Sequence, residues 1–128
     1  MIDNYELIKK SLAATTERAK VIANNIANIN TKDFKRSYVV FEDNLKEVLE
    51  KDKLELKVSD EKHIKSNESE LNYAVKKDTS TSMRTDGNNV DIDNEMTNLA
   101  ANNLMYNFLI DRAKGKLSTQ MFIINGGK

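Results

Sequence analysis

Side chains that could do chemistry are few in this chain of 128 residues. His63 is the single histidine, and cysteine is absent. His63 falls in the span 42–70, where acids and lysines crowd and apolar residues are sparse, so no rigid element brings it an acid partner within hydrogen-bond reach. It reads as a surface residue. Without cysteine there is no disulfide, thiolate nucleophile or Cys-based metal site. Asp86, Asp91, Asp93 and Glu95 invite a calcium loop, but such a loop needs glycine at its sixth position and glutamate at its twelfth. Counted from Asp86, those positions are Asp91 and Thr97, so a turn followed by a helix cap explains the acids. Gly87 is isolated and Gly126-Gly127 lies at the tail, which leaves no phosphate-cradling loop. Phe34, Tyr38, Val40 and Phe41 interleave with Lys32, Lys35 and Arg36, a mixture that can stack single-stranded nucleic acid. The patch is short, acids follow at once, and the net charge is zero; a loop packing its aromatics on helices is the expectation. The residues therefore point to no enzyme, no cofactor, no metal, no small-molecule substrate and no nucleic acid.

Association remains. Tyr5, Ile8, Leu12, Thr15, Ala19, Ile22, Ile26 and Ile29 alternate at spacings of three and four, the pattern of a helix laying a seam against another helix. Ile92, Met96, Leu99, Asn103, Tyr106, Ile110, Ala113, Leu117 and Ile124 repeat it near the other end, with Gln120 as a polar member. The first helix is expected from about Asp3 to about Asn28 and the second from about Asp93 to about Phe122, each about 40 Å long. The second carries a further apolar strip, Ala100, Ala101, Leu104, Met105, Phe108 and Leu109, so it needs more than one neighbour. Gly115 interrupts it and leaves room for a close helix approach. Two readings stay open for Asn24, Asn25, Asn28 and Asn30. One is a C-cap with Asn28 or Asn30 left-handed; the other makes Asn24 and Asn25 interfacial amides that pair with the backbone of a neighbouring chain.

Between the helices the chain is polar. Leu54–Val58 alternates and is expected to pair with Leu71–Val75 as a short ribbon. Asp86-Gly87-Asn88-Asn89 is a turn signal, and Asp91, Asp93 and Glu95 crowd the start of the second helix, where acids favour the dipole and cap free amides. The expected organisation is one domain: residues 1–31 as the first seam helix, 32–82 as an aromatic and basic loop with a polar middle, and 83–128 as the turn and second seam helix. The fold class is mainly α, an antiparallel coiled-coil hairpin with a small irregular or β excursion. With 39% hydrophobic and 31% charged residues, such helices are expected to complete their burial against a partner. The start of the chain lacks an apolar core of signal-peptide length, and no run approaches the ~18 apolar residues of a membrane span.

Two stretches carry a resemblance. Ala23-Asn24-Asn25-Ile26-Ala27-Asn28-Ile29-Asn30-Thr31 with Phe34-Lys35-Arg36 resembles the N-terminal signature of bacterial flagellar rod and hook proteins. Asp86-Gly87-Asn88-Asn89-Val90-Asp91, then Glu95-Met96 and the Asn102 and Tyr106 pair, is similar to the C-terminal part of the proximal-rod subgroup of basal-body rod proteins. The family usually has Pro-Gly after the threonine, where this chain has Lys32-Asp33, and tyrosine where it has Phe34. The resemblance implies a structural subunit of the proximal rod, a helical tube that transmits torque in the basal body of the cell envelope. Its partners would be other rod proteins and basal-body components, and it would be exported by the flagellar type III apparatus without a cleaved signal peptide. The residues expected at the assembly seam are Ile8, Leu12, Ala19, Ile22, Ile26, Ile29, Met96, Leu99, Tyr106, Ile110 and Leu117. A soluble helical-hairpin adaptor or export chaperone is the alternative.

Overall fold

A computed structural model describes residues 4–46, 72–80 and 84–127. Helix α1 runs Asn4–Ala27 and helix α2 runs Ile92–Ile124. At 1.5 Å per residue their lengths are about 36 Å and about 50 Å. Asp91 starts α2 as its N-cap: its side chain accepts from the amides of Asp93 and Asn94, which have no partner inside the helix. Asn25 meets Glu95 at one end of the pair, and Thr15 meets Asn102 further along. The helices are therefore antiparallel, as the hairpin expectation required.

A two-stranded antiparallel ribbon, β1 (Ser37–Val40) and β2 (Ala74–Lys77), lies against α1, with Ser37 opposite Lys77 and Val40 opposite Ala74. This corrects the expected ribbon. Its second strand falls near the expected place, but the partner is Ser37–Val40, where the residue pattern predicts a loop; Leu54–Val58 lies outside the described residues. Packing decides it. Val39, Val40 and Phe41 are buried, and Phe41 packs on Ala14 beside Leu7 and Leu45. A lone two-stranded ribbon is marginal in water; burial against α1 supplies the missing support.

Along the α1 stripe Thr15 and Ile22 are buried, Ile8, Leu12, Ala19, Ile26 and Ile29 are half-buried, and Tyr5 is exposed. On α2 the phase differs. The buried residues are Glu95, Asn102 and Leu109, spaced by seven but one position away from the expected stripe. Leu99, Ile110 and Ala113 are half-buried, while Ile92, Met96, Asn103, Tyr106, Leu117 and Ile124 are exposed. A count of apolar residues misplaces this face because two of its members are polar. Glu95 is tolerated there because it is paired with Arg36 and hydrogen-bonded to Asn25, and Asn102 is held by its donor to the Thr15 carbonyl.

Neither Asn28 nor Asn30 is left-handed, which corrects the first reading of the Asn-rich segment. Among the described non-glycine residues only Asp33 has positive φ, at 57°. Asp33 stands where the resembled family has glycine, and a short polar side chain is among those that tolerate this region best. Its amide donates to the Asp86 carbonyl at 2.9 Å. Gly87 sits directly beneath, with φ 81°, and a Cβ there would lie 2.2 Å from Asp33 Oδ1. Gly87→Ala is therefore expected to cost about 1–3 kcal/mol through strain alone. Thermal unfolding measures it, and an unchanged melting temperature would contradict the turn.

Candidate functional site

Two polar locks fix one end of the hairpin. The first centres on Asn25, fully buried on α1. Its Nδ2 donates to the Ser37 carbonyl at 2.8 Å and to Glu95 Oε2 at 3.1 Å, while its Oδ1 accepts from the Ser37 amide at 2.9 Å. The side-chain amide thus pairs with β1 as a strand neighbour would. Glu95 is fully buried, and its other oxygen takes the Arg36 guanidinium. One carboxylate so ties α1, the start of β1 and α2 together. A buried carboxylate is tolerable only when paired and hydrogen-bonded in this way.

The second lock is Asn88, also fully buried. The last carbonyls of a helix lack partners within it. Asn88 Nδ2 lies 3.0 Å from the carbonyls of Asn28 and Ile29 and 2.9 Å from that of Thr31, while its Oδ1 accepts from the Val90 amide. Arg84 adds a donor to the Ile29 carbonyl. Asn89 accepts from the Arg36 amide and donates to the Asp78 carbonyl, and Lys35 donates to the Gly87 carbonyl. Two motifs about sixty residues apart in sequence thus close on each other.

These contacts divide the motif residues. Asn25, Asn88 and Val90 are buried; Asn28, Phe34, Lys35, Asp86 and Gly87 are half-buried; Ala23, Asn24, Ala27, Asn30, Thr31 and Asp91 are exposed. Asn25 satisfies backbone groups of its own chain, which corrects the expectation that it pairs with a neighbour. Asn24 faces solvent. Arg36, Glu95 and Asn102 belong both to the cross-links and to the stretches that carry the resemblance, whereas Ser37 lies in neither motif. The seven-residue spacing of Glu95, Asn102 and Leu109 was the available signal.

Outside the locks α2 leaves many apolar side chains uncovered. Leu104 is 72% exposed, Ile123 69% and Ile124 81%, with Met96, Met105, Phe108, Met121 and Phe122 also open. The start of α1, from Asn4 to Ser11, lies along the stretch of α2 around Leu109 to Thr119. The last residues of α2 extend past it. An exposed apolar surface of this extent marks an interaction site.

At the edge of the ribbon Arg18 holds Glu42 by two contacts of 2.6 and 2.7 Å. Burial pushes the Glu42 carboxyl up, but the Arg18 hydrogen bond and charge and the amides of Glu42 and Phe41 outweigh it, leaving it below its ordinary value. No group of three or more metal-ligating side chains gathers among the described residues.

Residues 11–35, which contain the Asn25 lock, match the family model described as flagella basal body rod protein. Over 121 residues the chain is 36% identical to the flagellar basal body rod protein FlgB of Bacillus subtilis, covering 94% of this chain and 92% of that one. It is 42% identical over 100 residues to the protein of that name from Borreliella burgdorferi, covering 72% and 73%. Against the Escherichia coli protein it is 27% identical over 129 residues, covering 93% and 91%.

Asn25→Ala orphans both backbone groups of Ser37, and Asn88→Ala removes the donor shared by the Asn28, Ile29 and Thr31 carbonyls together with the acceptor of the Val90 amide. Each is expected to lower the unfolding free energy by about 2–4 kcal/mol, whereas exposed Asn24→Ala should stay within ~0.5 kcal/mol. Chemical denaturation of the isolated chain separates them, and equal effects at Asn24 and Asn25 would contradict the lock. The depressed Glu42 carboxyl stabilises the fold above the ordinary carboxylate pKa, and that contribution is lost as pH falls through the lower folded value. Glu42→Gln should therefore flatten the acid side of the stability–pH curve slightly, the effect being small because the pair is partly solvated.

Proposed function

The chain belongs to the FlgB family of flagellar basal body rod proteins, and from that premise we propose that its helical hairpin is a preset unit whose uncovered α2 surface is buried by neighbouring subunits of the rod. As a structural rod subunit it acts by packing. The open strip from Leu104 to Ile124 carries this reading, because a domain with so little apolar interior gains dry surface only by associating. Repeated side-by-side addition in a non-closing arrangement produces a helical tube, and torque then passes through shape-matched helices with no bond-making step. The expected seam residues divide accordingly: Ile22 serves the fold of the single chain, while Met96, Tyr106 and Leu117 remain available to neighbours.

Its place is the flagellar basal body, beside other rod components. We assign its passage across the envelope to the flagellar type III export apparatus, without signal cleavage, and no catalysis to it. No helix among the described residues is long and apolar enough to cross a membrane.

Ile22→Asp would test the wrong step, since a charge in that buried position unfolds the chain itself. Leu104→Asp and Ile123→Asp sit in solvent, so melting of the isolated chain should be unchanged, while the chain disappears from purified basal bodies and swimming stops. Normal motility with either substitution would overturn the packing surface. Recovery only in a one-to-one cytoplasmic complex would favour an adaptor or export chaperone.

A further inference from the structure

Two dipeptides of this chain are poised by residue type to close a five-membered imide through their own backbone. They are Asp86-Gly87 and Asn125-Gly126, the single Asp-Gly and the single Asn-Gly of the sequence. In each, glycine leaves the following amide nitrogen unshielded and the backbone free to turn. Their surroundings are opposite.

Asp86-Gly87 is held from several sides. Asp86 Oδ1 accepts from the Asn88 amide at 3.1 Å, and Oδ2 lies 3.0 Å from the Arg84 guanidinium. The Gly87 amide donates to the Arg84 carbonyl, the Asp86 carbonyl accepts from the Asp33 amide, and the Gly87 carbonyl accepts from Lys35. Asn125 is exposed, and its side chain makes no hydrogen bond among the described residues. Nothing lies within 4 Å of where a Cβ on Gly126 would stand. The Asn125 ψ of 10° must turn before the side chain reaches the next amide. That turn breaks the bonds from the Gly126 amide to the Ile123 carbonyl at 3.1 Å and from the Gly127 amide to the Phe122 carbonyl at 2.9 Å. Both belong to the last turn of α2, the part of a helix that frays at least cost.

We propose that Asn125 is a spontaneous deamidation site of the unassembled chain. The Gly126 amide nitrogen, giving up its proton to hydroxide, attacks the side-chain carbonyl carbon of Asn125. A carbon–nitrogen bond forms there, the bond to the side-chain nitrogen breaks, and that nitrogen leaves as ammonia. Water then opens the imide at either carbonyl, leaving an aspartyl or isoaspartyl residue with one new negative charge. The charge falls in the uncharged stretch between Lys116 and Lys128, at the negative end of the α2 dipole. Phe122, Ile123 and Ile124 beside it are exposed. On the rod-subunit reading, on which this consequence alone rests, a chain left too long unassembled offers its neighbours a charged end in place of an apolar one.

The purified, folded chain is kept in warm, mildly alkaline buffer and mapped by peptide mass spectrometry. The expected result is the mass gain of an amide-to-acid conversion at Asn125, in two separable forms, with Asn25, Asn88 and Asp86-Gly87 unchanged. Conversion should speed up with rising pH and be lost in Asn125→Gln, whose longer side chain would have to close a six-membered ring. In denaturant, isoaspartate should appear at Asp86 as well. No conversion at Asn125, or isomerisation at Asp86 equally fast in the folded chain, would overturn the site. Asn125→Asp, a fixed copy of the aspartyl product, is then expressed beside the wild-type chain at equal level, and should be severalfold depleted from purified basal bodies. Equal recovery would overturn the consequence for assembly. Absence of both chains from basal bodies would overturn the rod reading itself.

Discussion

A single buried carboxylate organises this molecule. Glu95 reaches Asn25 on α1 and Arg36 before β1, so three segments distant in sequence share one desolvated anion. Removing any partner would leave charge or backbone groups uncompensated in a dry site. An apolar seam tolerates sliding by a turn; a carboxylate with two specified partners does not, and the register of α1 against α2 is fixed here. Asn88 performs the matching task just past the end of α1, donating to the carbonyls of that turn and accepting from the Val90 amide. The hairpin is therefore aligned by polar contacts at one end.

That division of labour explains the apolar surface left outside. A hairpin held by apolar residues alone would turn the greasiest face of α2 toward α1. Here polar Glu95 and Asn102 occupy much of the inward face, and Leu104, Met105, Phe108 and the final turns are free to face outward. The chain is aligned internally by hydrogen bonds while apolar side chains stay on its surface, so the two sets of residues do not compete. For a rod subunit this ordering is useful: a surface that presents the same pattern on every copy can build a regular tube.

Much of the fold was legible in residue patterns. The limits of both helices, the Asp91 cap and the turn at Gly87 follow from local rules of capping and positive φ. The resemblance pointed to the two motifs, but not to what they do for each other. That Asn25 would pair with the Ser37 backbone depends on a tertiary approach no local rule encodes. Glu95 looked like an ordinary acid at a helix start, because its partner Arg36 is distant in sequence. Tyr38-Val39-Val40-Phe41 is a good strand sequence, yet neighbouring lysines and Arg36 drew it toward a loop reading. The α2 phase was missed for a related reason, since a hydrophobic period cannot register buried polar residues whose partners are unseen.

In the proposed packing, apolar side chains exposed on α2 in the single chain become dry in the rod. Methionine oxidation by peroxide reads this directly, because the thioether reacts according to its exposure. Met96, Met105 and Met121 are each about half or more exposed in the isolated chain and should oxidise readily there. In purified basal bodies Met105 and Met121 should be strongly protected. Oxidation of both at the same rate in the rod as in the free chain would contradict the claim.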